Sequence, residues 1–156
     1  MMKKLIKICL AFIILFIFSG CGKKEDFYIT YQDKNLYLNR EYNVDDYGKY
    51  NQMFENESCA FGDKDITYIY NDLEIEAYQN LQSKMIVYSI YFTSDNIKTN
   101  EGIGLYDTIN DAIKIYGNDY TKDNGKYTYI HGDTSLIFIT QNEIIESIEY
   151  RMTNIG

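Results

Sequence analysis

The sequence predicts an α+β fold, in which two tandem repeats, each a helix packed on an antiparallel sheet, follow an N-terminal signal peptide. Three observations lead to this prediction. An uncharged apolar run near the start of the chain stops abruptly at a cysteine. Short segments rich in β-branched and aromatic residues fill most of the remainder. Segments 68–92 and 127–150 then show the same order of strands and turns.

Residues 1–20 have the pattern of a bacterial lipoprotein signal peptide. Eleven apolar residues, 8–18, follow a short segment that has three lysines and no acidic residue. The run is shorter than the roughly 20 residues that a membrane-spanning helix needs, but its length is typical of the apolar part of a signal peptide. The sequence FSGC at 18–21 resembles the lipobox of bacterial lipoproteins.

The lipobox resemblance implies that Cys21 carries a diacylglyceryl group and becomes the N-terminus of the mature chain. Two acyl chains anchor a protein stably, whereas one chain holds it only marginally. We therefore expect a lipid-anchored protein on the extracytoplasmic face of the cell membrane, with residues 21–26 as a short charged tether. The alternative interpretation is a short buried helix with an incidental cysteine.

The predicted mature chain is strongly acidic. The whole sequence has a formal net charge of −8, and loss of the three signal-peptide lysines makes it −11. Such a body excludes binding to nucleic acid, which needs clustered lysine and arginine. It also argues against a body that lies flat on an anionic membrane, so we expect contact with the bilayer only through the lipid on Cys21.

The sequence shows no catalytic or metal-binding constellation, and we expect no enzyme activity and no cofactor or metal. Cys59 is the only thiol besides Cys21 in the mature chain, so no intramolecular disulfide is expected. A small buried thiol is its simplest interpretation. A reactive cysteine needs a base beside it, and the single histidine, His131, lies in a predicted turn. Segment 119–125, DYTKDNG, resembles a calcium loop, but the required glycine and glutamate are missing.

Eight segments of the mature chain have the composition of strands, and Gly, Asn and Asp residues separate them. They are FYITYQ, NLYLN, DITYIY, DLEIEAY, KMIVYSIYF, YTYI, SLIFIT and EIIESIEY. Within DLEIEAY, inward-facing apolar residues alternate with outward-facing residues, which predicts a strand with one buried face. The inward set is Leu73, Ile75 and Ala77, and the outward set is Glu74, Glu76 and Tyr78.

Each repeat is predicted to begin with a helix. In the second repeat an apolar stripe spans 109–116, with Asp107 or Thr108 as the cap and Gly117 at the end. The counterpart in the first repeat is 43–54, although Gly48 within it costs about 1 kcal/mol relative to alanine. We accordingly place the first repeat at residues 27–96 and the second at 97–156.

Two strings in the chain carry a likeness to a known family. KTNEGIGLYDTINDAIKIYGNDY with the later EIIESIEY, and SCAFGDKDITYIYNDLEIEAY before them, resemble small Firmicutes lipoproteins with a β-lactamase-inhibitor-protein-like (BLIP-like) tandem fold. The resemblance implies two α+β units side by side with a continuous concave sheet face, which grips an enzyme in the inhibitor that gives the fold its name. That inhibitor uses disulfides that this chain cannot form, so inhibition of a β-lactamase is not carried over.

We expect a non-enzymatic lipoprotein that binds an unknown protein partner through an exposed sheet face. Tyrosine, with 17 residues, is the unusual component, and tyrosine favours recognition surfaces. The predicted contact residues are Tyr78, Tyr91, Tyr127 and Tyr129. The alternative is that these tyrosines only replace other aromatic residues in the core and on the sheet.

Two further functions remain open at this point. One is inhibition of a secreted hydrolase, which rests on fold analogy alone, and the other is sensing of a small ligand in the cell envelope. Glu74 and Glu76 lie on one face of a predicted strand, but many solvated strands carry such a pair. A deep pocket would favour an enzyme or a sensor, whereas a broad aromatic face would favour a protein binder.

Overall fold

The computed structural model describes residues 26–58 and 64–154 and shows a mostly β protein. In these residues ten strands form two antiparallel sheets, and about 10% of the chain is helical. The predicted α+β class, with a helix packed on the sheet of each repeat, is therefore wrong. The larger sheet has eight strands, which come from both halves of the chain, and one α-helix is present among the described residues.

Two four-stranded meanders build the large sheet, while β1 (Tyr28–Tyr31) and β2 (Lys34–Tyr37) form a separate hairpin. The first meander consists of β3 (Gln52–Glu57), β4 (Lys64–Ile69), β5 (Leu73–Gln79) and β6 (Met85–Phe92). The second consists of β7 (Tyr120–Asp123), β8 (Lys126–His131), β9 (Thr134–Gln141) and β10 (Ile144–Met152). Strands β6 and β10 pair antiparallel, which gives the order β3-β4-β5-β6-β10-β9-β8-β7.

The hydrophobic core lies on one face of this sheet. Leu73, Ile75 and Ala77 of β5 are fully buried, as the alternation predicts. The β1–β2 hairpin covers this face beside the first meander and the centre of the sheet, where the ring of Phe27 meets that of Tyr150 edge-on at 6.1 Å. Because the hairpin and the α-helix lie on the same side, they enclose a continuous core against the sheet.

The α-helix, α1 (Ile109–Tyr116), has the bounds and the caps that the sequence predicts. The Thr108 side chain accepts a hydrogen bond from the backbone N–H of Asp111, and Gly117 ends the helix at a φ of 84°. Tyr116 at the end of the helix packs 5.7 Å from Phe138 of β9, which places the apolar stripe on the core. A positive φ at this position favours glycine because other residues pay a steric penalty there.

The helix predicted at 43–54 is wrong. Only a 3₁₀ helix, Val44–Tyr47, forms there, with Asn43 as its cap. Gly48 then adopts a φ of 75°, which takes the backbone out of the helical region. The aromatic residue Phe54, which was expected on the helix, instead lies on edge strand β3 and is 52% exposed.

Segment 119–125, with its superficial likeness to a calcium loop, is a β-hairpin. Strands β7 and β8 meet at Asn124 and Gly125, whose φ angles are 45° and 82°. Two successive residues with positive φ form a type I′ turn, whose twist matches that of the two flanking strands. Asn-Gly is the preferred sequence of this turn. The predicted turn at His131 also connects two strands, β8 and β9.

Several sequence predictions fall outside the described residues. The signal peptide 1–20, the lipidation residue Cys21 and Cys59 all belong to this group. In the part of the chain that the structure describes, no helix has both the length and the apolar character needed to cross a membrane. The predicted repeat boundaries, 27–96 and 97–156, also stay a prediction.

Candidate functional site: the open face of the sheet

The face of the large sheet opposite the core carries no other described element, and we call it the open face. Its centre is formed by alternate side chains of β5, β6 and β10, the three strands at which the two meanders meet. Phe54 lies on edge strand β3, on one side of this centre, and Ile139 and Ile130 lie on β9 and β8, on its other side. These three side chains are 52%, 44% and 53% exposed, so the open face has exposed apolar residues on both sides of its centre.

Strand pairing arranges the central side chains in two rows. In one row Glu76 pairs with Ser89, and Ser89 pairs with Arg151. In the next row Glu74 pairs with Tyr91, and Tyr91 pairs with Glu149. Directly paired residues of antiparallel strands point to the same face, so the six side chains converge although they come from both halves of the chain.

These six side chains line a shallow depression of about 300 Å³. Ser89 is 2% exposed and has a short side chain, so it lies low in the depression. Tyr91 is 37% exposed and presents an aromatic ring beside it. The lining therefore combines an aromatic surface with three carboxylates, one hydroxyl and one guanidinium group.

Glu149 contacts two polar side chains of the depression, Ser89 and Arg151. Its Oε1 atom accepts a hydrogen bond from the Ser89 hydroxyl at 3.1 Å, and Nη1 of Arg151 lies 3.1 Å from the same oxygen. The Glu149 side chain is 19% exposed, which makes it the better shielded member of its ion pair with Arg151. These contacts orient Glu149 and place the only guanidinium of the depression beside it.

Glu76 lies in a less favourable electrostatic environment. Burial raises the pKa of Glu76 above its ordinary value, and the nearby Glu149 carboxylate adds to this rise. Arg151 and the nearby hydroxyls of Ser89 and Tyr88 lower the pKa of Glu76 again, but they do not cancel the effect of burial. The ionised form of Glu76 is therefore only partly compensated in the folded protein.

Tyr88 and Asp65 extend the polar region of the open face towards β4, and Asp65 is the charged member of the pair. Burial raises the pKa of Tyr88 to about 12, and the carboxylates of Glu76 and Asp65 contribute to the shift. Asp65 Oδ1 is itself buried and has no hydrogen-bond partner among the described residues. Negative charge on this side of the depression thus outweighs positive charge.

The four predicted contact tyrosines do not share one face. Tyr91 and Tyr78 lie on the open face, where the Tyr78 ring is tilted against that of Tyr88 at 6.4 Å. Tyr127 and Tyr129 are 6% and 2% exposed, so their predicted exposure is wrong. They pair with Phe138 and Leu136 and belong to the core.

The sequence pointed to only half of the residues that line the depression. Glu74 and Glu76 were predicted as an outward-facing pair and Tyr91 as a contact residue, but Ser89, Glu149 and Arg151 were not selected. A usable signal was present, because Glu149 and Arg151 alternate with the buried residues of β10. That alternation predicts their face, but it does not show that β10 lies beside β6.

The residues present do not form a metal site of the usual kind. Among the described residues, no group of three or more His, Cys, Asp and Glu side chains has positions suited to a metal ion.

Comparisons of the chain with protein families, curated proteins and solved structures find no match. The resemblance to BLIP-like lipoproteins therefore stays a prediction, and the helix-on-sheet repeats that it implied are corrected by the fold.

Proposed function

We propose that the protein is a non-enzymatic, lipid-anchored protein of the cell surface that binds a protein partner through the open face. The observation that carries the proposal is the extent and composition of this face. Eight strands at the usual spacing span about 34 Å, which is wide enough for one side of a standard protein interface, since about 800 Å² corresponds to a square of roughly 28 Å on a side. Exposed apolar side chains lie on both sides of the centre, which holds Tyr91 and Arg151, and tyrosine and arginine are enriched at protein interfaces.

The lipid anchor in this proposal rests on the lipobox-like sequence that ends at Cys21. Its test is the distribution of the wild-type chain and a Cys21→Ala variant between membrane and soluble fractions. We expect wild-type protein in the membrane fraction with a mass increase on Cys21, and loss of that increase in the variant. Retention of unmodified wild-type protein in the membrane would contradict the proposed anchor.

The binding face is tested by photocrosslinking in intact cells. A photoreactive phenylalanine analogue replaces Phe54, Tyr91 or Ile130 on the open face, one position at a time. Matched control positions are Leu81, which is 99% exposed in the β5–β6 turn, and Ile115, which is 48% exposed on α1. We expect the same protein adduct from the three open-face positions and none from the two controls.

The crosslinking pattern can also refute the proposal. Equal adducts from the control positions would show that the open face has no special role in binding. Absence of adducts from all three open-face positions, with the full chain at the cell surface, would remove the protein-binding function. An adduct with a secreted hydrolase would specify the partner and would call for an inhibition assay.

A further inference from the structure

The chemistry of the depression limits what the partner can place there. Three carboxylates and one guanidinium line it, which leaves a formal charge of −2 when all four groups are ionised. Ionised carboxylates only accept hydrogen bonds. A complementary group must therefore donate hydrogen bonds and bring positive charge.

The spacing of the carboxylates suits a single cationic side chain. Glu74 and Glu76 project from β5, while Glu149 projects from β10, and these strands flank β6. Two strand spacings separate the flanking strands by about 10 Å, with the small Ser89 side chain between them. A cationic group in this gap can reach carboxylates on both sides at ordinary hydrogen-bond lengths of about 2.8 Å.

The aromatic and apolar surroundings distinguish this place from an ordinary solvated acidic patch. Tyr91 lies in the same row as Glu74 and Glu149, so its exposed ring stands beside the gap. An aromatic face attracts ammonium and guanidinium groups. The exposed apolar side chains of Phe54, Ile130 and Ile139, on the two sides of the centre, would hold the rest of the partner surface around such a group.

We infer that the partner inserts a lysine or arginine side chain into the depression, between Glu76 and Glu149, and contacts the open face with a basic surface. This inference rests on the proposed function and specifies the partner's chemistry. The strongly acidic chain attracts such a surface over longer distances, with a formal net charge of −8. Arg151 stays paired with Glu149, so Glu76, which lies in the Ser89 row and beside Glu149, gains most from the incoming cation.

A direct test uses a model cation rather than the partner. The full-length chain, ¹⁵N-labelled in a non-ionic detergent, is titrated with N-acetylargininamide at low salt and followed by NMR. We expect saturable shifts of the backbone signals of Glu76, Ser89 and Glu149, and binding roughly three-fold weaker in a Glu76→Gln variant. N-acetylcitrullinamide, which has the same shape without the charge, should cause no such shifts.

Asp95→Asn is the matched control because it removes a carboxylate from an exposed loop away from the open face. Shifts that do not saturate, equal shifts with the citrulline compound, or an equal effect of Asp95→Asn would overturn the inference. Unchanged spectra of each variant without ligand show that the substitutions leave the fold intact.

A second test separates a basic partner surface from a small free cation. The photocrosslinker at Ile130 is combined with Glu76→Gln and Glu149→Gln, or with Asp95→Asn as the control. Loss of most of the partner adduct only in the glutamate variant supports insertion of a cationic side chain. An adduct that persists there overturns the inference while the proposed function stands, and arginine-amide binding with no partner adduct would indicate a small cationic ligand instead.

Discussion

The Ser89 hydroxyl donates a hydrogen bond to Glu149 across the β6–β10 pair, at 3.1 Å, and so joins the two meanders on the open face. Ser89 is almost completely buried, and its bond is to a charged group. Such bonds stabilise more than neutral ones do. We expect Ser89→Ala to lower the free energy of unfolding by about 1–2 kcal/mol, measured by urea denaturation.

A control for this substitution is Ser94→Ala, which removes a hydroxyl that bonds to Asp72 in the loop after β6. That bond does not link the meanders, so amide exchange at the β6–β10 pair should stay slow in this variant. Faster exchange at β6–β10 is expected only for Ser89→Ala. An unchanged unfolding curve for Ser89→Ala would show that the bond contributes nothing to the junction.

The environment of Glu76 predicts a pH-dependent stability difference. Because the folded-state pKa of Glu76 is raised above its ordinary value of 4.5, the contribution of this group to stability is fully present below pH 4.5 and is lost as the pH rises through the folded pKa. Glu76→Gln should therefore unfold at a higher temperature than wild type at pH 7. This advantage should vanish below pH 4.5.

Thermal unfolding between pH 3.5 and 7 measures this difference, with Asp95→Asn as a variant of equal charge change in an exposed loop. A greater stability of wild type at neutral pH would mean that attraction by Arg151 outweighs the burial of Glu76. The same experiment at high salt separates the two causes, because salt weakens charge–charge attraction more than it changes the cost of burial.

Much of the strand content could be predicted from the sequence, and the misses concern the two ends of the sheet. All eight predicted strand segments contain strands, but edge strands β3 and β7 were not predicted. Every side chain of β3 is exposed, so QMFENE shows no alternation of buried and exposed residues. An edge strand has a neighbouring strand on one side only, so its side chains are less buried than those of a central strand. The hydrophobic pattern of its sequence is consequently weak.

The open face could be predicted only in part because it depends on long-range pairing. Alternation in β5 correctly placed Glu74 and Glu76 opposite the core. In β8 the same reasoning failed, because Tyr127 and Tyr129 alternate with Thr128 and Ile130, and both sets suit a buried face. No local sequence pattern in β6 or β10 shows that these two strands pair. The depression is therefore formed by the tertiary fold and could not be predicted from either strand alone.

Tyr150 and Tyr116 offer a matched pair of hydroxyl deletions in one part of the core. The Tyr150 hydroxyl is buried beside Tyr116 and Thr99, but it completes no hydrogen bond with either of them or with another described residue. The Tyr116 hydroxyl hydrogen-bonds with Thr99 at 2.8 Å and donates to Glu101. We expect Tyr116→Phe to cost about 1–2 kcal/mol of unfolding free energy, and Tyr150→Phe to be neutral or stabilising.

Urea denaturation of the two variants checks this prediction, since each substitution removes one oxygen and keeps the ring. A clear loss of stability in Tyr150→Phe would indicate that its hydroxyl has a partner in solution. An unchanged Tyr116→Phe would show that Thr99 and Glu101 are satisfied equally well by water.

Glycine should stabilise both two-residue turns of the second meander, so its removal from one turn and its introduction into the other should change the stability in opposite directions. Gly125 has a φ of 82°, and a Cβ atom there would lie 2.8 Å from the backbone oxygen of Thr140. Gly125→Ala should therefore cost about 1–3 kcal/mol.

Glu143 has a φ of 67° in the β9–β10 turn, directly after Asn142 at 50°. Glu143→Gly creates the preferred Asn-Gly sequence of this turn type and should raise the stability by roughly 0.5 kcal/mol, because the relief of backbone strain exceeds the entropy cost of glycine. Thermal unfolding of both variants tests the two signs together. A loss of stability in Glu143→Gly would mean that the Glu143 side chain contributes more to the turn than its backbone strain costs.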